Sequence, residues 1–237
     1  MLEILYQDDQ LVAINKPNGL LVHRTYIAEQ DAQFALQLLR DQIGKRVSPI
    51  HRLDRKTSGV LLFGLQPEIV KSVQQQIENQ SVTKRYLAIV RGWFPESIEV
   101  DYALTNDRGK TQEAITHFKL LEKTEVNVPF GKYETSRYSL IEAHPKTGRQ
   151  HQIRKHLNHL RHPIIGDRPH GCNKQNRLFK NRWDMNTMML HAEELSFVHP
   201  IFNQKIKIVA PLNLEFIRMM GELQFSSFQE KVINKGI

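Results

Sequence analysis

The chain has 237 residues, 40% of them hydrophobic and 24% charged, enough for a sizeable core. No run approaches the roughly 18 apolar residues of a membrane span, and the strand-like N-terminus argues against a signal peptide. A formal net charge of +8 points to an anionic partner, most often nucleic acid, and the single cysteine, Cys172, excludes an internal disulfide and suits a reducing cytosol.

In chain order, EILYQDDQLVAINKPNG reads as two strands around the polar turn Gln7 to Gln10, stopped by Pro17 and Gly19. DAQFALQLLRDQIG reads as a helix with Asp31 as its cap, Phe34, Leu38 and Leu39 on one face and Gly44 at its end. GVLLFG is a short buried strand entered through a tight turn at Ser58–Gly59. PEIVKSVQQQIEN is a helix with Pro67 in its first turn and Ile69, Val73 and Ile77 spaced by four. KRYLAIVRG is a strand, as is much of 113–121 and 133–143. TGRQHQIRKHLNHL predicts a helix with Ile153, Leu157 and Leu160 as its apolar stripe, and the chain closes with a hairpin around Asn203–Gln204 and a helix from about 213. Strands and helices do not alternate strictly, so the expectation is α+β, with a mixed, largely antiparallel sheet flanked by helices and loops. No linker-like composition interrupts residues 1–237, which predicts a single domain.

One carboxylate, Asp54, stands between Arg52 and Arg55 at the mouth of the buried strand. Burial alone raises a carboxyl pKa, while a nearby arginine lowers it by about 1–3 units, and only the anion is a nucleophile. A capping or ion-paired Asp is the competing reading. Arg154 lies beside Ile153 and three residues before Leu157, at the edge of the apolar stripe, from where a guanidinium can turn inward and fork onto a carboxylate. Its neighbours Arg149, His151, Lys155, His156, His159, Arg161 and His162 read as a solvated basic face. The histidine spacing of five, three and three matches no zinc motif, and neither a phosphate-binding loop nor a nucleophile elbow is present. Tyr86, flanked by Lys84 and Arg85, is either a sheet-core tyrosine or a platform on which an unpaired base stacks.

HRLDRKTSG, preceded by INKPNGLLVH and followed by KRYLAIVRG, TGRQHQIRKHL, HPIIGD and LHAEELSFVHP, closely resembles the RluA-type family of pseudouridine synthases. The segments run in family order over nearly the whole chain. The resemblance implies the pseudouridine synthase fold and isomerisation of uridine to 5-ribosyluracil without cofactor or metal. It makes Asp54 the nucleophile, at ribose C1′ or ring C6, Arg154 the cation that keeps it ionised, and Tyr86 the residue packed against the uracil. His51, Arg52, Arg55, Thr57, Arg149, His151, Gln152, Ile153 and Lys155 fall where the family contacts RNA, with Arg52 filling the space left by the extruded base. KHLNHLRHPIIGD followed by HGCNKQNR looks closer to members acting on tRNA, which implies a tRNA partner and uridine 65 in the T-stem region. The chain looks like the catalytic domain alone, with no S4-type RNA-binding domain before it. The cysteine usage suits the cytoplasm, and with no obligate protein partner evident a monomer is expected. Cys172 departs from the pattern, standing where an acid is expected. A ribosomal-RNA substrate, a non-catalytic RNA-binding module and a metal-assisted nuclease remain the alternatives at this stage.

Overall fold

A computed structural model of the chain describes residues 1–23 and 33–227. Its elements begin with strands β1 (Glu3–Gln7) and β2 (Leu11–Lys16), helix α1 (Ala35–Ile43), strands β3 (Ser48–Pro49) and β4 (Ser58–Gly64), and helix α2 (Pro67–Glu78). Strands β5 (Thr83–Arg91), β6 (Ser97–Asp101), β7 (Leu104–Thr105), β8 (Thr111–Gln112), β9 (Ile115–Val126) and β10 (Ser136–Pro145) follow. Helices α3 (Gln152–His159) and α4 (Asn173–Trp183), strands β11 (Leu190–Val198) and β12 (Lys205–Val209), and helix α5 (Leu214–Glu222) complete the described chain. This is the expected α+β mixture: the β4–β11 ladder is parallel, and the β1–β2, β2–β4, β3–β4, β5–β10, β9–β10, β6–β9, β7–β8 and β11–β12 ladders are antiparallel.

Local chemistry sets most boundaries. Asp8 closes the first hairpin, its Oδ1 accepting the amides of Gln10 and Leu11 at 2.7 Å each. Gly44 ends α1 in the left-handed region, at φ 66°, with its amide donating to the Arg40 carbonyl. Phe34 occupies the N-cap position of α1, and the cap expected from Asp31 lies outside the described residues. Asn213 caps α5 by accepting the Phe216 amide at 2.8 Å.

Two expectations need correction, and one helix was not expected at all. Helix α3 starts at Gln152 rather than Thr147, because His151 takes a left-handed conformation (φ 56°) and the preceding residues fold onto the Gln152 side chain. Helix α4 left no apolar stripe to read, since only Gln175 and Phe179 of its eleven residues are buried. Ser58 and Gly59 belong to strand β4, not to a turn.

The described residues form two compact units, and the boundary falls inside β5. The first combines Met1–Arg85 with His191–Pro211. Its strands run in the order β1-β2-β4-β11, with β12 paired to β11 and β3 to β4. Its core gathers Leu11, Ala13, Val60, Leu62, Ile69, Val73, Leu195 and Phe197. All seven residues of β4 are buried, as a strand covered on both faces requires. Each fully buried Leu or Phe there contributes about 1.5–3 kcal/mol, so β4 is a rigid post for the loop that precedes it.

The second unit comprises Tyr86–Leu190 and the chain from Leu212. Its strands run β5-β10-β9-β6, with the β7–β8 hairpin apart. Its own core includes Ile89, Phe94, Phe118, Tyr138, Leu157, Phe179 and Met220.

Candidate active site

In the first unit the residues before β4 form a tight polar loop around Asp54. The Thr57 amide donates to the Asp54 carbonyl at 3.0 Å, which closes a turn over 54–57. Thr57 is buried, whereas Arg52 and Arg55 are exposed and Asp54 is half-buried. Arg55 is not free to follow RNA, because its Nε donates to the Gly19 carbonyl at 3.0 Å. His51 is half-buried and its Nε2 accepts the Leu62 amide at 3.2 Å. That bond needs a neutral imidazole. Burial, reinforced by the Lys84 charge, pushes the His51 pKa down to about 4.

The start of β4 shows why glycine follows Ser58. Gly59 has φ +110°, and a Cβ there would lie 2.1 Å from the Ala192 carbonyl oxygen. Strand β11 therefore runs hard against β4 in the parallel register His191↔Ser58, Ala192↔Gly59. The Ser58 hydroxyl is held to His191 Nδ1 at 2.9 Å.

Sequence reasoning missed a second charged group here. Lys16, fully buried, sits opposite Gly59 in the β2–β4 ladder. Its Nζ donates to the carbonyls of Pro17, Leu20 and Arg55 at 2.9, 2.8 and 3.1 Å. The Gly19 amide donates to the Arg55 carbonyl, and Asn18 donates to the Lys56 carbonyl. Loop 16–20 is thus stapled to loop 54–57. Burial pushes the Lys16 pKa down to about 7, while the attraction of the Asp54 carboxylate acts against that fall. A lysine followed by Pro-Asn-Gly reads as a solvated turn, so only the INKPNGLLVH resemblance hinted that the segment matters.

The second unit holds Tyr86 and Arg154. Tyr86 lies opposite Ala143 in the β5–β10 ladder and is half-buried against the unit's core. Arg154 turns inward as its place on the stripe suggested, with 6% exposure. It forks onto Asp167, Nε to Oδ2 at 2.7 Å and Nη2 to Oδ1 at 2.8 Å. Asp167, the last residue of HPIIGD, is itself 1% exposed and also accepts the His170 amide at 3.2 Å. The loop carrying it is fixed by Asn176, which accepts the Gly166 amide and donates to the Asp167 carbonyl. Gly166 and Gly171 each approach backbone closer than any Cβ allows.

The expected solvated basic face is mostly spoken for. His156 is buried, with Nδ1 on the Thr116 hydroxyl and Nε2 on the Tyr102 carbonyl, because it falls on the inner side of α3 beside Leu157. His159 stacks on Tyr102 with centroids 4.1 Å apart. Lys155 reaches the Thr105 carbonyl and Arg149 the Glu113 carbonyl. Gln152 uses its whole amide internally, accepting from Thr147 and Arg149 and donating to Ile115 and Thr116. Ile153 packs in the core. Side chains expected to face RNA at 152 and 153 therefore shape the loop instead. His151 pairs with His170, Nδ1 to Nε2 at 2.8 Å. In the first unit Arg85 pairs with Glu193 at 3.1 Å and Glu194 at 3.5 Å. Among the described residues no group of His, Cys, Asp and Glu could hold a metal.

These motifs and this fold define a class. The sequence model of the RNA pseudouridylate synthase family matches residues 10–159, and the chain belongs to that family. Among curated proteins it is 46% identical to tRNA pseudouridine synthase C of Vibrio vulnificus (strain CMCP6), over 96% of this chain and 97% of that one. It is 48% identical to the protein of the same name from Haemophilus ducreyi, over 93% and 95%. Among solved structures it is similar to human RNA pseudouridylate synthase domain containing 4, with a TM-score of 0.72 and 25% identity over 94% of this chain and 93% of that one. Human RNA pseudouridylate synthase domain containing 1 shares the fold, with a TM-score of 0.68 and 21% identity over 95% and 96%.

Proposed function

We propose that this chain isomerises a uridine of tRNA, uridine 65 in the T-stem region, to pseudouridine, and that it does so as a cytoplasmic monomer. The observation that carries the reading is its similarity, nearly end to end, to proteins named tRNA pseudouridine synthase C. In this reaction the N1–C1′ bond breaks, a C5–C1′ bond forms, the C5 proton leaves and N1 gains one. Atoms and electrons balance within the nucleotide, so the proposed chemistry draws on no cofactor. Asp54 is the nucleophile, attacking C1′ or C6. Arg154 supplies the positive charge that favours its ionised form, and Tyr86 packs against the uracil. The target base leaves its stack to be reached, at a cost of a few kcal/mol, and exposed Arg52 takes its place.

Asp54→Asn tests the reading. The variant is expected to form no pseudouridine while binding tRNA within about twofold of the unaltered protein, because one oxygen is replaced by an amide of the same shape. Pseudouridine mapped in total RNA from cells with and without the protein checks the substrate. Loss at a ribosomal site with tRNA unchanged overturns the tRNA assignment, and turnover by Asp54→Asn overturns the nucleophile.

A further inference from the structure

The second unit carries a pocket that the proposed reaction does not use. It has a volume of ≈ 220 Å³ and is lined by Arg91, Phe130, Tyr133, Arg137, Tyr138 and Gln175 among others. That is smaller than the roughly 300–1,000 Å³ of sites that enclose a drug-sized ligand, so it takes one flat ring and not a dinucleotide. Its rim is built by a short loop in which Phe130 and Tyr133 exchange backbone hydrogen bonds around Gly131, which is at φ +63°. Tyr133 is 60% exposed and Trp93, next to the rim, 47%. Each aromatic carries a cation: Arg91 lies 5.2 Å from the Phe130 centroid, Lys132 5.4 Å from Tyr133, and Arg137 4.0 Å from Trp93. At the floor the Gln175 amide donates to the Tyr138 hydroxyl.

Charge narrows the occupant. No carboxylate lines the pocket. Arg137 is shared with Glu125 at 3.2 Å, but among the described residues Arg91 has no carboxylate partner, only the Cys172 sulfur at 4.0 Å. Aromatic faces beside guanidinium groups bind a stacked base together with its phosphate. The register places the site. Arg91 pairs with Tyr138 at one end of the β5–β10 ladder and Tyr86 with Ala143 at the other. Arg91 lies five positions, about 17 Å, along the strand from Tyr86, and that odd offset puts the pocket on the opposite face of the sheet from Tyr86.

We propose that this pocket binds one unpaired nucleotide of the RNA whose target uridine is handled at Tyr86, with the base against Tyr133 and Phe130 and the phosphate on Arg91. The inference rests on the RNA-modifying reading above. It makes the pocket a specificity site, anchoring a nucleotide that is not stacked on the reacting one and that reaches the other face of the sheet.

The test uses the full chain carrying Trp183→Phe, which leaves Trp93 as its sole indole. A single-stranded hexauridylate is expected to quench Trp93 fluorescence, and Tyr133→Ala or Arg91→Ala to raise its Kd about fivefold or more. The same substitutions are expected to raise KM for tRNA by a similar factor and leave kcat within about twofold, since neither residue touches the reacting base. Quenching that is absent, or unmoved by both substitutions, overturns the proposal. Equal quenching by uridine monophosphate overturns it in favour of a small-metabolite site. Should the unaltered protein convert no tRNA uridine, the proposed function fails, while the hexauridylate titration still decides the pocket.

Discussion

His51 sits three residues before the proposed nucleophile and holds the loop through a lone pair. Its Nε2 accepts the Leu62 amide, and a proton there would break that bond. Its pKa is about 4 when folded against an ordinary 6.5. Between those values the unfolded chain binds more protons than the folded one, so stability falls as pH drops from 6.5 towards 4. One proton gives a slope of up to about 1.4 kcal/mol per pH unit. His51→Gln keeps an acceptor and removes the titration. Urea unfolding from pH 4 to pH 7 is expected to show a flatter acid limb for the variant, and parallel profiles would sink the assignment. At this scale the sequence was only partly legible. Asp54 stood out because acids are rare among arginines. Lys16 did not, because nothing local reveals that three carbonyls and a strand close over it.

Helix α3 shows what periodicity reveals and where it stops. Spacing placed Arg154 at the edge of an apolar stripe, and the structure turns it inward. Its partner Asp167 lies thirteen residues further on, in a loop after the helix, where no period links it to the stripe. For the same reason His156 looked solvated, although Thr116 and the Tyr102 carbonyl satisfy it inside. The Arg154–Asp167 pair is buried on both sides, so removing one charge leaves the other uncompensated, at about 3–5 kcal/mol. Asp167→Asn, which keeps the size and loses the charge, is expected to lower stability by that amount. With Arg154 no longer held, kcat is expected to fall by about a hundredfold, the scale of a 1 Å misplacement. Calorimetry and single-turnover pseudouridine assays check both. An unchanged melting temperature together with unchanged turnover would deny Asp167 any positioning role.

For the molecule as a whole, strand and helix signals sufficed for the α+β class, but the division into two compact units left no trace in composition. Its boundary falls inside β5, and the first unit recruits residues 191–211 from more than a hundred positions away, so no polar linker marks it. Charge is a whole-molecule property that does survive the structure. Arg40, Arg85, Arg137, Lys146, Arg154, Lys207 and Arg218 are paired with acids, yet each pair removes one charge of either sign and the excess of +8 remains. Against tRNA such an excess acts through phosphate neutralisation, where each contact contributes about 0.7–0.9 to the slope of log K against log salt. If roughly half of the excess meets phosphate, tRNA affinity measured between 50 and 200 mM KCl follows a slope of about −3 or steeper. Under single-turnover conditions with saturating protein, the rate of pseudouridine formation is expected to stay nearly constant over the same range, since salt weakens the encounter and not the chemistry. A slope shallower than about −1 would mean that uncharged contacts carry recognition and that the positive excess serves some other end.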